Sequence, residues 1–157
     1  MSLRLDDRIA EEIHASLRGA YPEEGCGVLL GADRGEDRTV TRAIPLDNVQ
    51  DAARRTRYPL SPEQILAAER EARRTGVELI GFFHSHPDHP ARPSAFDLEH
   101  AWPYYSYVIV SVAERQVVET TAWRLSADRS RFEPETIERA REGPAEATNA
   151  TQGASRP

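Results

Sequence analysis

His84 and His86 stand two residues apart, and seven residues separate His86 from Ser94, with Asp97 three positions further on. The residues before the histidines, 77–83, are apolar, β-branched or aromatic, and predict a buried strand. Side chains alternate along a strand, so residues i and i+2 share a face with Cα atoms roughly 6.5–7 Å apart. Two imidazoles so placed can reach one ion at about 2.0–2.1 Å each, while Ser85 points the other way. Asp97 supplies a third donor if the loop brings it back. Two histidines and one carboxylate leave a fourth tetrahedral position open for water, the pattern of a catalytic zinc ion. Water at such a site needs a general base, and the acidic pair Glu23 and Glu24, just ahead of the apolar run Val28-Leu29-Leu30, offers one. The residues themselves do not choose between the two.

The elements that must position these groups are readable in outline. Pro87, Pro90 and Pro93 each lack an N–H and fix φ, so the chain after His86 is a stiff loop. Ser94-x-x-Asp97 then has the form of a capping box, with Ser94 as N-cap and Asp97 in the first turn of a helix. Upstream, Leu5, Ile9, Ile13 and Leu17 recur every four residues and predict an amphipathic helix ending near Gly19. Residues 26–31 and 39–44 read as two strands joined by a Gly-rich turn. Ser61-Pro62-Glu63-Gln64 predicts a capped helix running to about Thr75, with Gly76 at its C-terminal end. Residues 106–112 and 117–125 read as a strand pair, and a weak helix is expected over 134–141.

One domain over residues 1–141 is expected from the length of 157 residues, with a disordered polar tail over 142–157. The formal net charge of −6 argues against broad binding to nucleic acid. No apolar run approaches a membrane span, and the acidic start lacks the apolar core of a signal peptide, so a cytoplasmic setting is expected. All 20 basic residues are arginines, and Arg54, Arg55 and Arg57 cluster in a polar segment over 47–58. Cys26 is the single cysteine, which excludes an internal disulfide and a cysteine-built zinc site; between glycines it reads as a small buried residue rather than a nucleophile. His14 reads as an ordinary helix residue, His89 as a mobile loop side chain and His100 as a surface or rim residue.

Taken together, Glu24-x-Cys26-Gly27 before an apolar strand, His84-x-His86, and Ser94-x-x-Asp97 resemble the motif of the JAMM (MPN+) metalloprotease family, and the order of elements is similar to that family's from the first helix to about Leu125. The resemblance implies an α/β fold of the α+β type, a curved and mostly antiparallel sheet flanked by helices and related to the cytidine deaminases. It implies that His84, His86 and Asp97 bind zinc, that Glu24 is the general base, and that Ser94 helps stabilise an oxyanion. The chain is more similar to the compact prokaryotic members, which implies cleavage at the Gly-Gly tail of a ubiquitin-like or sulfur carrier protein. Some relatives are non-catalytic binding modules that usually lack part of this residue set, whereas all of it is present here. A deaminase-like zinc hydrolase would need the cysteine ligands that are absent.

Overall fold

The structure is a computed structural model that describes residues 1–47 and 60–139. Among these the chain order is β1 (Ser2–Arg4), α1 (Asp7–Ala20), β2 (Cys26–Arg34), β3 (Asp37–Leu46), α2 (Pro62–Arg74), β4 (Glu78–Pro87), α3 (Ala95–His100), β5 (Ser106–Ala113), β6 (Gln116–Leu125) and β7 (Phe132–Glu138). The strands run β1-β3-β2-β4-β5-β6-β7, and β7 returns to β1, so the sheet closes. Four of the seven neighbouring pairs are antiparallel; β4 with β5, and β1 with both β3 and β7, are parallel. The expected curved, mostly antiparallel sheet flanked by helices is thus present, with a closure that was not expected.

Alternation along the strands divides the apolar residues between two cores. Ile9, Ala10, Ile13 and Leu17 of α1 pack with Leu29, Ile80, Phe83, Val108 and Val110 on one face. Ala68 and Ala72 of α2 pack with Val28, Leu30, Phe82 and Tyr107 on the other. Gly27 lets Phe83 lie against β2, since a Cβ there would collide with the Phe83 ring and the Ile44 carbonyl. With both faces of its central strands covered, β4 is buried from Leu79 to His86. That explains an apolar run without alternation.

Several expectations are corrected. The first helix does not include Leu5: Asp6 caps it by accepting from Ile9 N at 2.9 Å, and Leu5 is buried ahead of the cap. The histidines lie at the end of β4, as expected, though the strand itself runs on to Pro87 because parallel pairing with β5 continues that far. Residues 132–138 form a strand where a weak helix is expected. There Glu135 is buried as the ion-pair partner of Arg124 at 2.6 Å, which puts a charged residue at an inward position and hides the strand's alternation. The Arg54, Arg55 and Arg57 cluster and the tail 142–157 lie outside the described residues. No helix among the described residues is long and apolar enough to cross a membrane.

Candidate metal centre

The centre is assembled where β4 ends against α3. Strand alternation puts His84 and His86 on one face, with Nε2 atoms 3.2 Å apart. Three prolines carry the loop round, and its main chain is pinned: Ser111 Oγ donates to His89 O at 2.6 Å, and Thr121 Oγ1 donates to Ala91 O at 2.7 Å. The loop delivers Ser94 as the N-cap of α3. Its hydroxyl accepts from Asp97 N at 3.0 Å, and its own N–H donates to Asp97 Oδ2 at 2.8 Å, the complete capping box. The cap turns the Asp97 carboxylate onto the histidines, Oδ1 lying 3.3 Å from His84 Nε2 and Oδ2 3.1 Å from His86 Nε2.

These separations test whether an ion fits. Donors about 2.0–2.1 Å from a tetrahedral ion lie roughly 3.3–3.4 Å from one another; the two Nε2 atoms are 3.2 Å apart, and the Asp97 carboxylate approaches them through different oxygens, Oδ1 at 3.3 Å from His84 and Oδ2 at 3.1 Å from His86. The three residues are buried and form a group able to hold a metal ion. The outer ring nitrogen of His86, Nδ1, faces Pro90 O at 2.9 Å, the kind of second contact that fixes a ligand ring and its tautomer. The donor set fits a metal ion.

Charge is arranged to match. Burial pushes the His84 pKa down, leaving a neutral imidazole ready to act as a donor. Burial works against protonated His86 as well, but the Asp97 carboxylate, the Pro90 carbonyl and Glu24 outweigh it, and the His86 pKa lies above its ordinary value. Burial alone would raise Asp97; hydrogen bonds from the two histidines and from Ser94 N hold it well below the usual carboxylate range. The cluster therefore holds one firm negative charge beside two rings that compete for a cation.

Glu24 borders the same cleft, of about 420 Å³, together with His86, His89, Pro90, Arg92, Ser94, Phe96 and Asp97. Burial, reinforced by the Asp97 charge, pushes its carboxyl up to about 7, where it can both take and return a proton near neutrality. Glu23, its alternative, is not a wall of that cleft. Cys26 sits across from His84 in the β2–β4 register, but burial pushes its thiol up to about 12, which disarms it as a nucleophile. His89 is exposed at the cleft wall, so the structure turns toward the site a residue expected as a mobile loop side chain. His100 stacks on Phe96 at 4.0 Å on the rim and His14 meets Thr120 at 2.9 Å on α1, both away from the cleft wall. Arg92 and Phe96 were not singled out from sequence. Their one signal is position, since any residue between His86 and Asp97 must border whatever the two ends enclose.

Residues 6–126 match the family described as prokaryotic homologs of the JAB domain. The chain is 40% identical over 114 residues to the Desampylase of Haloferax volcanii, covering 71% of this chain and 80% of that one. It is 38% identical over 101 residues to the Probable TtuB-protein conjugate cleaving protease of Thermus thermophilus, covering 64% of each. To the CysO-cysteine peptidase of Mycobacterium tuberculosis it is 32% identical over 112 residues, 71% of this chain and 74% of that one. The solution structure of protein DSY2949 from Desulfitobacterium hafniense superposes with a TM-score of 0.78 at 34% identity, over 89% of this chain and 94% of that one. AF2198, a JAB1/MPN domain protein from Archaeoglobus fulgidus, shares the fold at a TM-score of 0.52 and 17% identity, over 88% of this chain and 99% of that one.

Proposed function

Because the chain belongs to the family of prokaryotic homologs of the JAB domain, we propose that it is a zinc-dependent peptidase that hydrolyses an amide bond at the C-terminal tail of a ubiquitin-like or sulfur carrier protein. The observation that carries this reading is the convergence of His84, His86 and the Asp97 carboxylate, whose ligand atoms, one from each residue, lie within 4.8 Å of one another, with a carboxyl of raised pKa on the wall of the same cleft. The names of the relatives support the substrate class: one is named a probable TtuB-protein conjugate cleaving protease and another a CysO-cysteine peptidase. A cytoplasmic setting belongs to the same reading.

His84, His86 and Asp97 would hold the zinc ion. Once bound, zinc supplies an acidified water and polarises the scissile carbonyl. The remaining work falls to the chain. Glu24 takes a proton from the attacking water as its oxygen bonds to the scissile carbonyl carbon and returns it to the nitrogen as the C–N bond breaks, so that a neutral amine departs rather than an amide anion. Ser94 Oγ accepts from Asp97 N, which leaves its own hydrogen directed by the cleft, where it donates to the carbonyl oxygen as negative charge builds there. The pinned loop over His89 to Pro93 keeps the cleft's shape before substrate arrives.

The test uses a small carrier protein whose terminal Gly-Gly is joined to the ε-amine of a fluorescent lysine. Cleavage is expected to stop with a chelator and to return with added zinc. Glu24→Gln should lower kcat by about 10²–10⁴ while still binding about one zinc per chain. A Glu24→Gln protein with undiminished turnover would falsify the mechanism.

A further inference from the structure

No hydrogen bond to another described residue restrains the Glu24 carboxylate. Its position is set instead by the main chain over 21–25, which joins α1 to β2. That segment is tied to the metal-centre strand on both sides of Glu24. Downstream, Gly25 N donates to Ser85 Oγ at 2.9 Å and Ser85 N donates to Gly25 O at 3.1 Å, a reciprocal pair with the residue between the two histidines. Gly25 also lies so close to α1 that a Cβ would come within 2.8 Å of Leu17 Cδ2 and 2.9 Å of the Ala20 Cβ. Upstream, the Tyr21 hydroxyl donates to Asp88, 2.8 Å from Oδ1 and 3.1 Å from Oδ2.

Asp88 is itself a fixed post. It follows β4 directly, its N–H donates to Val112 O at 2.8 Å, and its φ of 61° places it in the left-handed region that Asp tolerates better than most residues. The other side of Tyr21 is covered by Arg115, whose guanidinium carbon lies 6.0 Å from the ring centre and whose Nη1 donates to Arg18 O at 3.2 Å. Tyr21 stands three residues before Glu24, and Asp88 two residues after His86. The bond therefore spans the base-bearing loop and the ligand-bearing strand.

We propose that Tyr21 and Asp88 are a positioning pair, which holds Glu24 in register with the His84, His86 and Asp97 cluster and supports turnover without contacting substrate. The inference rests on Glu24 as general base. Proton transfer needs heavy atoms within about 2.6–3.2 Å, and a displacement of about 1 Å can cost roughly 100-fold in rate. Glu23 N donates to Ala20 O at 2.9 Å and holds the loop to α1, but toward the metal-centre strand a loop tied at Gly25 alone can pivot there; the Tyr21–Asp88 bond removes that freedom.

The test is Tyr21→Phe in the zinc-loaded full chain, with the Gly-Gly lysine conjugate as substrate. The phenyl ring keeps its packing on the α1 core, so thermal midpoint and zinc content are expected to match the parent. The kcat should fall about tenfold with KM little changed. Amide exchange over residues 23–25 in the metal-free protein should quicken, a readout independent of activity. Asp88→Gly, which removes the acceptor without straining the left-handed backbone, should behave alike, whereas Asp88→Asn, which keeps one acceptor oxygen, should restore most of the rate. In a Glu24→Gln background Tyr21→Phe should have no further effect. An unchanged kcat in Tyr21→Phe, or an equal loss in the Glu24→Gln background, overturns the positioning role and leaves the base assignment standing. Full activity of Glu24→Gln itself overturns the base assignment, and the pair with it.

Discussion

Helices α2 and α3 begin with the same reciprocal cap, yet only one of the caps borders the cleft. In α2, Ser61 Oγ accepts from Gln64 N at 3.1 Å, Ser61 N donates to Gln64 Oε1 at 3.0 Å, and the spare Gln64 Nε2 donates to Asp47 O at 2.8 Å. In α3 the partners are Ser94 and Asp97, and the spare capacity of the Asp97 carboxylate goes to two imidazoles. A neutral amide at the third helical position uses its leftover group to hold a loop. A carboxylate there is buried beside two donors of its own kind of ligand chemistry, and it brings a charge that helix capping does not require. The difference lies in one side chain and in what β4 places opposite it.

An exchange of the third-position chemistry should break the comparison most sharply. Asp97→Asn keeps an oxygen for Ser94 N, so the cap survives, but the charge that holds a cation is lost. Zinc affinity should fall by more than about 100-fold, beyond the usual cost of losing an outer-shell partner, with helix content unchanged. Gln64→Glu should leave zinc affinity where it was. Titration against a competing chelator measures both; parental affinity in Asp97→Asn would mean that the carboxylate is only a cap.

Much of this contrast can be read along the chain, because both caps are local. Four residues carry each one, and the strand alternation that pairs His84 with His86 spans only three. Relations between distant residues are a different matter. Nothing in Glu23-Glu24 tells which carboxyl enters the cleft until β2 and β4 are in register, and family resemblance made that choice before geometry did. Strand β1 has three residues, too few to show a period. Strand β7 hides its period behind the Arg124–Glu135 pair. Tyr21 meets Asp88 across 67 positions, and no spacing rule reaches that far. Closure of the sheet depends on both of the strands that were missed, which explains why the ends of the sheet were harder to foresee than its centre.

A smaller effect sharpens the comparison between the two serines. Ser61→Ala and Ser94→Ala each remove a hydroxyl acceptor from a helix N-terminus, at a cost of about 1 kcal/mol in stability. Only Ser94 borders the cleft. Ser94→Ala should also lower kcat by about 100-fold, the usual consequence of losing one donor to a developing oxyanion, while Ser61→Ala leaves kcat unchanged. Urea unfolding alongside steady-state kinetics separates the two contributions. Equal kcat values in the two variants would reduce Ser94 to its capping role.

The smallest effect concerns pH, and it follows from the charge that separates the functional end of the molecule from the α2 end. Gln64 has no proton to lose, so the α2 cap adds no pH dependence through its third position. Glu24 is different: its carboxyl is pushed from 4.5 up to about 7 by burial and by Asp97. Between those values the folded chain holds a proton that the unfolded chain has released, so stability falls as pH rises through that window. Exposure of part of the carboxyl to solvent screens the effect to the order of 1 kcal/mol. Metal-free Glu24→Gln should therefore unfold at higher urea than the metal-free parent at about pH 8, and the gap should close as pH falls toward the ordinary carboxyl value of 4.5. A gap that stays constant across that range would mean that Glu24 is fully hydrated, and its fitness to shuttle a proton near neutrality would go with it. A gap that closes would identify the desolvation that destabilises the fold as the same one that tunes the base.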